Sequence, residues 1–284
     1  MQQREYGNTG ERLSIIGFGG LVVSSVSSTQ ASEDVAWSID HGINYFDVAP
    51  AYGNAQEMLG PALAPYRNGV FLACKTKYRD GKTAREDLEN SLRLMQTDNF
   101  DLYQMHAMTS QADFDQATAP GGVLDMIAKA RDEGLVRYIG FSAHSAEIAI
   151  KLMSQFHFDS VLFPVNWVNY FESGFGPQIM EKAQSEGTAR LALKGMASHQ
   201  LDDRGHRVRE KCWYYPLEQM ELASLALRFT LSQPITAAIP PGDPELFRIA
   251  VEIGQDFRPI TEEETALLRR MAKGRAPLFE LAHA

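Results

Sequence analysis

Within the first 106 residues, four side chains that hold charge or move protons stand at or just after the ends of short apolar runs. Asp47 ends the run Asn44-Tyr45-Phe46-Asp47-Val48 but for one residue, and Tyr52 stands in the segment that follows. Lys75 closes Val70-Phe71-Leu72-Ala73-Cys74-Lys75, and His106 closes Asp101-Leu102-Tyr103-Gln104-Met105-His106. A phenol with an unperturbed pKa of about 10 is a poor acid near pH 7, but a nearby ammonium stabilises the phenolate and lowers that pKa. In such a group Asp47 holds the Lys75 ammonium charged and in place. His106 then orients or polarises a carbonyl oxygen that Tyr52 protonates.

These four residues meet only if their strands lie side by side. Along a strand alternate side chains share a face, so Tyr45 goes with Asp47, Ala73 with Lys75 and Gln104 with His106. After a hairpin of Arg4–Tyr6 and Arg12–Ser14 around Gly7-Asn8-Thr9-Gly10, strand-like runs begin at Ile15–Phe18. They recur at 44–48, 70–75, 101–106, 136–141, 160–165, 189–193 and 236–239. Between them lie segments of helical period at 30–41, 54–65, 83–96, 121–133, from Ser145, 176–186, 217–232 and from Asp243. Eight β/α units of about 30 residues, with no Pro/Gly/Ser-rich linker, predict one closed (β/α)8 barrel over residues 1–284 in preference to a two-domain open sheet. In that fold catalytic groups sit at the C-terminal ends of strands, where the four residues fall. The connection Ser198–Tyr215 and a last helix opened by the capping-box pattern Thr261-Glu262-Glu263-Glu264 are additions to the barrel.

The 284 residues are 44% hydrophobic and 22% charged, which is globular composition and excludes disordered and collagen-like chains. A formal net charge of −9, with no long basic run, argues against nucleic acid as a partner. Cys74 and Cys212 are too far apart for a metal-type spacing, and two cysteines make no disulfide scaffold, so a reducing, cytoplasmic setting is expected. The start Met1-Gln-Gln-Arg-Glu-Tyr-Gly lacks the apolar core of a signal peptide, and no run approaches the roughly 18 apolar residues of a membrane helix. A soluble, unprocessed protein without a membrane partner is the expectation. A metal hydrolase is disfavoured because the first strand ends without a His or acidic ligand.

The runs around Asp47 and Tyr52, Phe71–Thr76 and Asp101–His106 resemble the aldo-keto reductases, as do Gly10–Gly20, Tyr138–Ser142 and Ala237–Gly242 in the same order. The resemblance implies a tetrad of Asp47, Tyr52, Lys75 and His106 with Tyr52 as general acid, and hydride from a nicotinamide cofactor, since no side chain supplies one. It further implies reduction of a small-molecule aldehyde or ketone to an alcohol, or the reverse. The cofactor residues it carries over are Ser142 and Asn166 for the carboxamide, with Gly242 toward the adenosine end and Arg248 either there as well or a solvated arginine on its helix face. The family habit is NADP(H), with NAD(H) as the alternative. No Gly-x-Gly-x-x-Gly follows the first strand, and Gly17-Phe18-Gly19-Gly20 is only a glycine cluster, so a Rossmann domain is not expected. Asp243, an expected N-cap, and Glu245 compete with a phosphate for the positive end of their helix.

In the Ser198–Tyr215 connection, Arg204, Arg207, Arg209 and Lys211 are either a phosphate-steering flap or a solvated loop, and Cys212-Trp213-Tyr214-Tyr215 its aromatic anchor. Leu21, Val22, Phe114, Trp167 and Trp213 are candidate pocket walls, each also readable as packing. Gln104 reads as structural and needs a hydrogen-bond partner, and Cys74 as buried and inert. Two other functions compete with the reductase. One is a lyase using Lys75 as a Schiff-base amine, which a pairing with Asp47 disfavours. The other is a cofactor-binding barrel that serves as a sensor.

Overall fold

The computed structural model describes residues 1–201 and 207–281. A hairpin of β1 (Gln3–Glu5) and β2 (Arg12–Ser14) precedes eight parallel strands: β3 (Phe18–Gly19), β4 (Tyr45–Asp47), β5 (Phe71–Thr76), β6 (Phe100–Met108), β7 (Val136–Ala143), β8 (Ser160–Pro164), β9 (Ala189–Leu193) and, after a second hairpin of β10 (Ala197–Gln200) and β11 (Tyr214–Pro216), β12 (Ala237–Ile239). The eight pair in the order β3-β4-β5-β6-β7-β8-β9-β12. A parallel bridge from Ile16 to Ala238 brings the two ends together, through Gly17 N–H on Ala238 O (2.9 Å) and Ala238 N–H on Ile15 O (2.9 Å). This is the expected (β/α)8 barrel.

Its helices are α1 (Ser28–Asp40), α2 (Ala55–Leu63), α3 (Gly81–Met95), α4 (Gln111–Thr118), α5 (Val123–Asp132), α6 (Ala146–Gln155), α7 (Pro177–Ser185), α8 (Met220–Ser232), α9 (Pro244–Gln255) and α10 (Glu262–Ala272). Short polar residues start them: Ser27, Asp80, Ser145 and Asp243 each accept a first-turn N–H, and Thr261 with Glu264 forms the expected capping box. Helix α4 is not anticipated by periodicity, because it spans barely two turns; its own capping box of Ser110 and Asp113 holds it. The connection read as one long loop contains β10 and β11, paired between residues too far apart in sequence for a turn signal to reveal.

Two apolar cores result. Tyr6, Leu13, Tyr45, Phe71, Leu102, Leu162 and Leu191 fill the barrel, so the N-terminal hairpin packs into its interior. The outer faces of the strands pack on the helices. At Gly17 the barrel wall approaches the site's support most closely: a Cβ there would lie 2.5 Å from the Tyr45 ring. Gly17→Ala therefore forces that ring to move and is expected to cost about 2 kcal/mol, measured as a lower urea midpoint with an unchanged slope; an unchanged midpoint would contradict the packing.

Candidate active site

Strand register brings the candidate residues together. Asp47 lies opposite Ala73, and Lys75 opposite Gln104, so β4, β5 and β6 present Asp47, Lys75 and Gln104 to one another. Lys75 Nζ is in direct contact with Asp47 Oδ1, and both side chains are 1% exposed. The other oxygen, Oδ2, accepts from Tyr45 Oη (3.0 Å) and Gln104 Nε2 (3.1 Å). Gln104 thus has the partner its burial requires. Burial pulls Lys75 down to about 7, while a carboxylate in contact favours the ammonium.

Tyr52 stands on the turn between β4 and α2, where Tyr52 N–H donates to Ala49 O (3.0 Å) and Ala55 N–H to Tyr52 O (3.2 Å). Its ring meets the His106 ring edge-on, with centroids 5.9 Å apart at 88°. Lys75 Nζ is 5.3 Å from the Tyr52 centroid. The tetrad of the sequence reading is therefore one cluster. The expected lowering of the phenol is not seen: burial, and then the charge of Cys74, push Tyr52 above its ordinary value. Desolvation of the phenolate outweighs the ammonium beside it.

His106 lies where β6 departs from regular pairing, between Met105 and Met108. Ala107 is left-handed (φ 56°). Three bonds hold the irregularity: Arg79 Nη2 donates to His106 O (2.8 Å) and Ala107 O (3.1 Å), and Ala107 N–H donates to Ser142 Oγ (2.7 Å). Such a kink re-aims a side chain at a strand end. Burial, then Lys75 and Lys77, push His106 down to about 2, and its Nδ1 has no hydrogen-bond partner among the described residues. Burial and the neighbouring ammoniums thus favour the neutral imidazole.

The cofactor expectations fare unevenly. Ser142 is buried, and its hydroxyl, while accepting from Ala107, still has a proton to donate. Gly242 lines a cleft of about 100 Å³ together with Leu21, Tyr52, Lys194, Lys211 and Trp213. A Cβ on Gly242 would lie 2.3 Å from Leu21 Cβ, so that wall tolerates no side chain. Asn166 has no free amide group, contrary to expectation. Its Nδ2 donates to Lys194 O (3.0 Å) and Ala197 O (2.8 Å), and its Oδ1 accepts from Val168 and Asn169 N–H (2.9 and 3.1 Å). Arg248 is likewise engaged, with Nη2 on Asp34 Oδ1 (3.0 Å) and its guanidinium 4.4 Å from the Trp37 ring centroid.

In the β9–α8 connection Arg204 lies outside the described residues, Arg207 covers the Trp213 ring (4.6 Å) and Arg209 binds Glu218 and Glu245. Of the candidate walls, Leu21 and Trp213 line the cleft, whereas Val22, Phe114 and Trp167 are core. Cys74 is buried and pushed up to about 12, as befits an inert thiol.

Sequence reasoning missed Lys194 and His144. Lys194 immediately follows β9, has φ 70°, and lies 4.4 Å from the Tyr214 ring centroid. Burial lowers it to about 8, and no carboxylate pairs with it among the described residues. The rule that singled out Lys75, a charge at a strand's C-terminal end, would have found it. His144 follows β7, stacks on Phe279 (4.7 Å) and is pushed down to about 4 by burial and Lys194. A second cleft, of about 210 Å³, opens beside Lys75 and His106 between Pro50, Lys77, Tyr78 and Asp87. A recess of about 550 Å³ lies around the other ends of the strands, where Asp101 ties Arg67 (3.0 Å) to Arg137 (2.7 Å), away from the end at which barrels of this kind carry their chemistry.

A sequence model described as Aldo/keto reductase family matches residues 15–242. The chain belongs to that family. It is 22% identical to the uncharacterized oxidoreductase YqkF of Bacillus subtilis, over 96% of this chain and 97% of that protein. It is 31% identical to the aldo-keto reductase YhdN of the same organism over 52% of this chain and 48% of that one. The fold matches the holo form of aldo-keto reductase AKR11C1 from Bacillus halodurans with a TM-score of 0.76, covering 98% of both chains at 20% identity. Family membership makes the protein an oxidoreductase of the aldo/keto reductase type. No helix among the described residues is long and apolar enough to cross a membrane.

The neutral state of His106 is open to direct measurement. Its ring protons are expected not to shift in NMR spectra between about pH 5 and 8, because a pKa held down near 2 leaves nothing to titrate there. A midpoint near the ordinary value of about 6.5 would contradict the geometry.

Proposed function

We propose that this protein is a nicotinamide-dependent carbonyl reductase in which Tyr52 delivers the proton to the substrate oxygen. The observation that carries the reading is the cluster itself: the buried Lys75–Asp47 pair lies beside the Tyr52 ring, which the His106 ring meets edge-on. Burial there favours a neutral His106 and a protonated Tyr52. His106 presents a neutral imidazole that orients a carbonyl oxygen toward Tyr52. As the C–O bond becomes an alcohol, the Tyr52 O–H bond breaks toward that oxygen and the Lys75 ammonium stabilises the phenolate left behind. The reverse sequence oxidises an alcohol.

A reduced nicotinamide supplies the hydride when bound. The residues present fit such a group. Lys194 is a partly exposed ammonium with no paired carboxylate among the described residues, in the cleft that Tyr52 lines. Barrels of this kind hold phosphates at the loops after their seventh and eighth strands, which here are β9 and β12. Lys194 and the bare backbone at Gly242 would hold the diphosphate, and the Ser142 hydroxyl the carboxamide. Asn166 we assign to holding the β8–α7 connection. The Asp47 contact argues against a Schiff-base role for Lys75, since a paired ammonium is not a nucleophile.

Tyr52→Phe is expected to lower carbonyl reduction by about 10³-fold while cofactor affinity, followed by fluorescence titration, is retained. Full turnover by the variant would remove Tyr52 as the acid. Cofactor binding without turnover by the unmodified protein, across a broad carbonyl panel, would favour a sensor.

A further inference from the structure

The cleft that runs from Tyr52 past Lys194 and Lys211 ends at Gly242, where α9 begins. A helix N-terminus ordinarily attracts anions, but this one is already supplied with them. The Asp243 carboxylate accepts from the N–H groups of Glu245 (3.1 Å) and Leu246 (3.2 Å), and Glu245 adds a second negative charge in the first turn.

The cations there are also committed. Arg209 grips both oxygens of Glu218 (3.0 Å each), reaches Glu245 with Nη1 (2.7 Å) and lies 3.6 Å from Asp243. Arg248 is held by Asp34 and lies over Trp37. Lys211 donates to Val22 O (2.8 Å) and feels the charges of Asp243, Glu210 and Asp34. Asp34 is only 5% exposed, and its Oδ2 has no hydrogen-bond partner among the described residues. Asp34, Glu210, Glu218, Asp243 and Glu245 thus surround three cations, whereas Lys194, at the inner part of the cleft, has no paired carboxylate among the described residues.

The two nicotinamide dinucleotides share a diphosphate and differ at the adenosine ribose, which carries a 2′-hydroxyl in one and a 2′-phosphate in the other. A ribose diol donates hydrogen bonds and is recognised by a carboxylate; a 2′-phosphate needs an arginine or lysine whose charge is still available. With the shared diphosphate at Lys194, the adenosine end would meet the carboxylate-rich start of α9, at the far end of the cleft.

We infer that this protein selects NAD(H) and rejects NADP(H), with Asp34, Asp243 and Glu245 turning away the 2′-phosphate by charge and by neutralising Arg248 and Arg209. The inference rests on the nicotinamide reading above and departs from the family habit of NADP(H). Exclusion by like charge is a means of discriminating between ligands that are otherwise identical.

The test is fluorescence titration of the full chain with NADH and with NADPH, at one fixed ionic strength, for the unmodified protein and for Asp34→Asn and Glu245→Gln. NADH is expected to bind about tenfold or more tightly than NADPH, and each variant to tighten NADPH by about fivefold with less effect on NADH. Equal or tighter binding of NADPH by the unmodified protein overturns the inference and leaves the carbonyl-reductase reading standing. NADPH affinity unmoved in both variants overturns it as well, because the carboxylates then do not discriminate. Binding of neither dinucleotide overturns both readings together.

Discussion

Moving a carboxylate out of water costs several kcal/mol unless every oxygen it carries is matched. Asp47 sits almost wholly buried at the barrel mouth, and much of the surrounding architecture supplies that match. Lys75 takes one oxygen, and Tyr45 and Gln104 take the other, from three adjacent strands whose register is set by continuous parallel pairing. Tyr45 can occupy its place because Gly17, beside the bridge that joins the two ends of the barrel, has no side chain. A defect in closure would therefore reach the active site through a single aromatic ring.

The same burial decides how the site is charged. Water withdrawn from the mouth keeps Tyr52 protonated and His106 neutral, and lowers both Lys75 and Lys194. In the proposed reaction Tyr52 is the donor by what its neighbours cannot do: burial disfavours an imidazolium at His106, and the Lys75 ammonium is engaged by Asp47. Local strain accompanies this arrangement. Ala107 and Lys194 both adopt left-handed backbone directly after residues that line or approach the site, a conformation that costs of order 1 kcal/mol or more and persists only where neighbours enforce it.

The barrel and the clustering of Asp47, Tyr52, Lys75 and His106 were legible in the sequence because both depend on local order. Alternation along a strand places Tyr45 with Asp47 and Gln104 with His106 wherever the strand goes, and eight successive strand–helix units leave few architectures. The misreadings concern contacts that no local pattern encodes. Arg248 meets Asp34 across 214 positions, and the Asn166 amide is consumed by backbone groups of a neighbouring connection. The phenol's acidity was misjudged because the ammonium is visible in the sequence and the extent of desolvation is not. Lys194 was overlooked although its position after a strand obeyed the rule already applied to Lys75.

The proposed chemistry depends on the Asp47 charge acting through Lys75 on Tyr52. The most direct test is single-turnover oxidation of reduced nicotinamide prebound to Asp47→Asn, mixed rapidly with a carbonyl substrate and compared with the unmodified protein. With the carboxylate neutralised but its shape kept, the hydride-transfer step should slow by about a hundredfold while cofactor affinity is unchanged. A single-turnover rate equal to that of the unmodified protein would show that the buried pair supports the barrel alone and has no part in the chemistry.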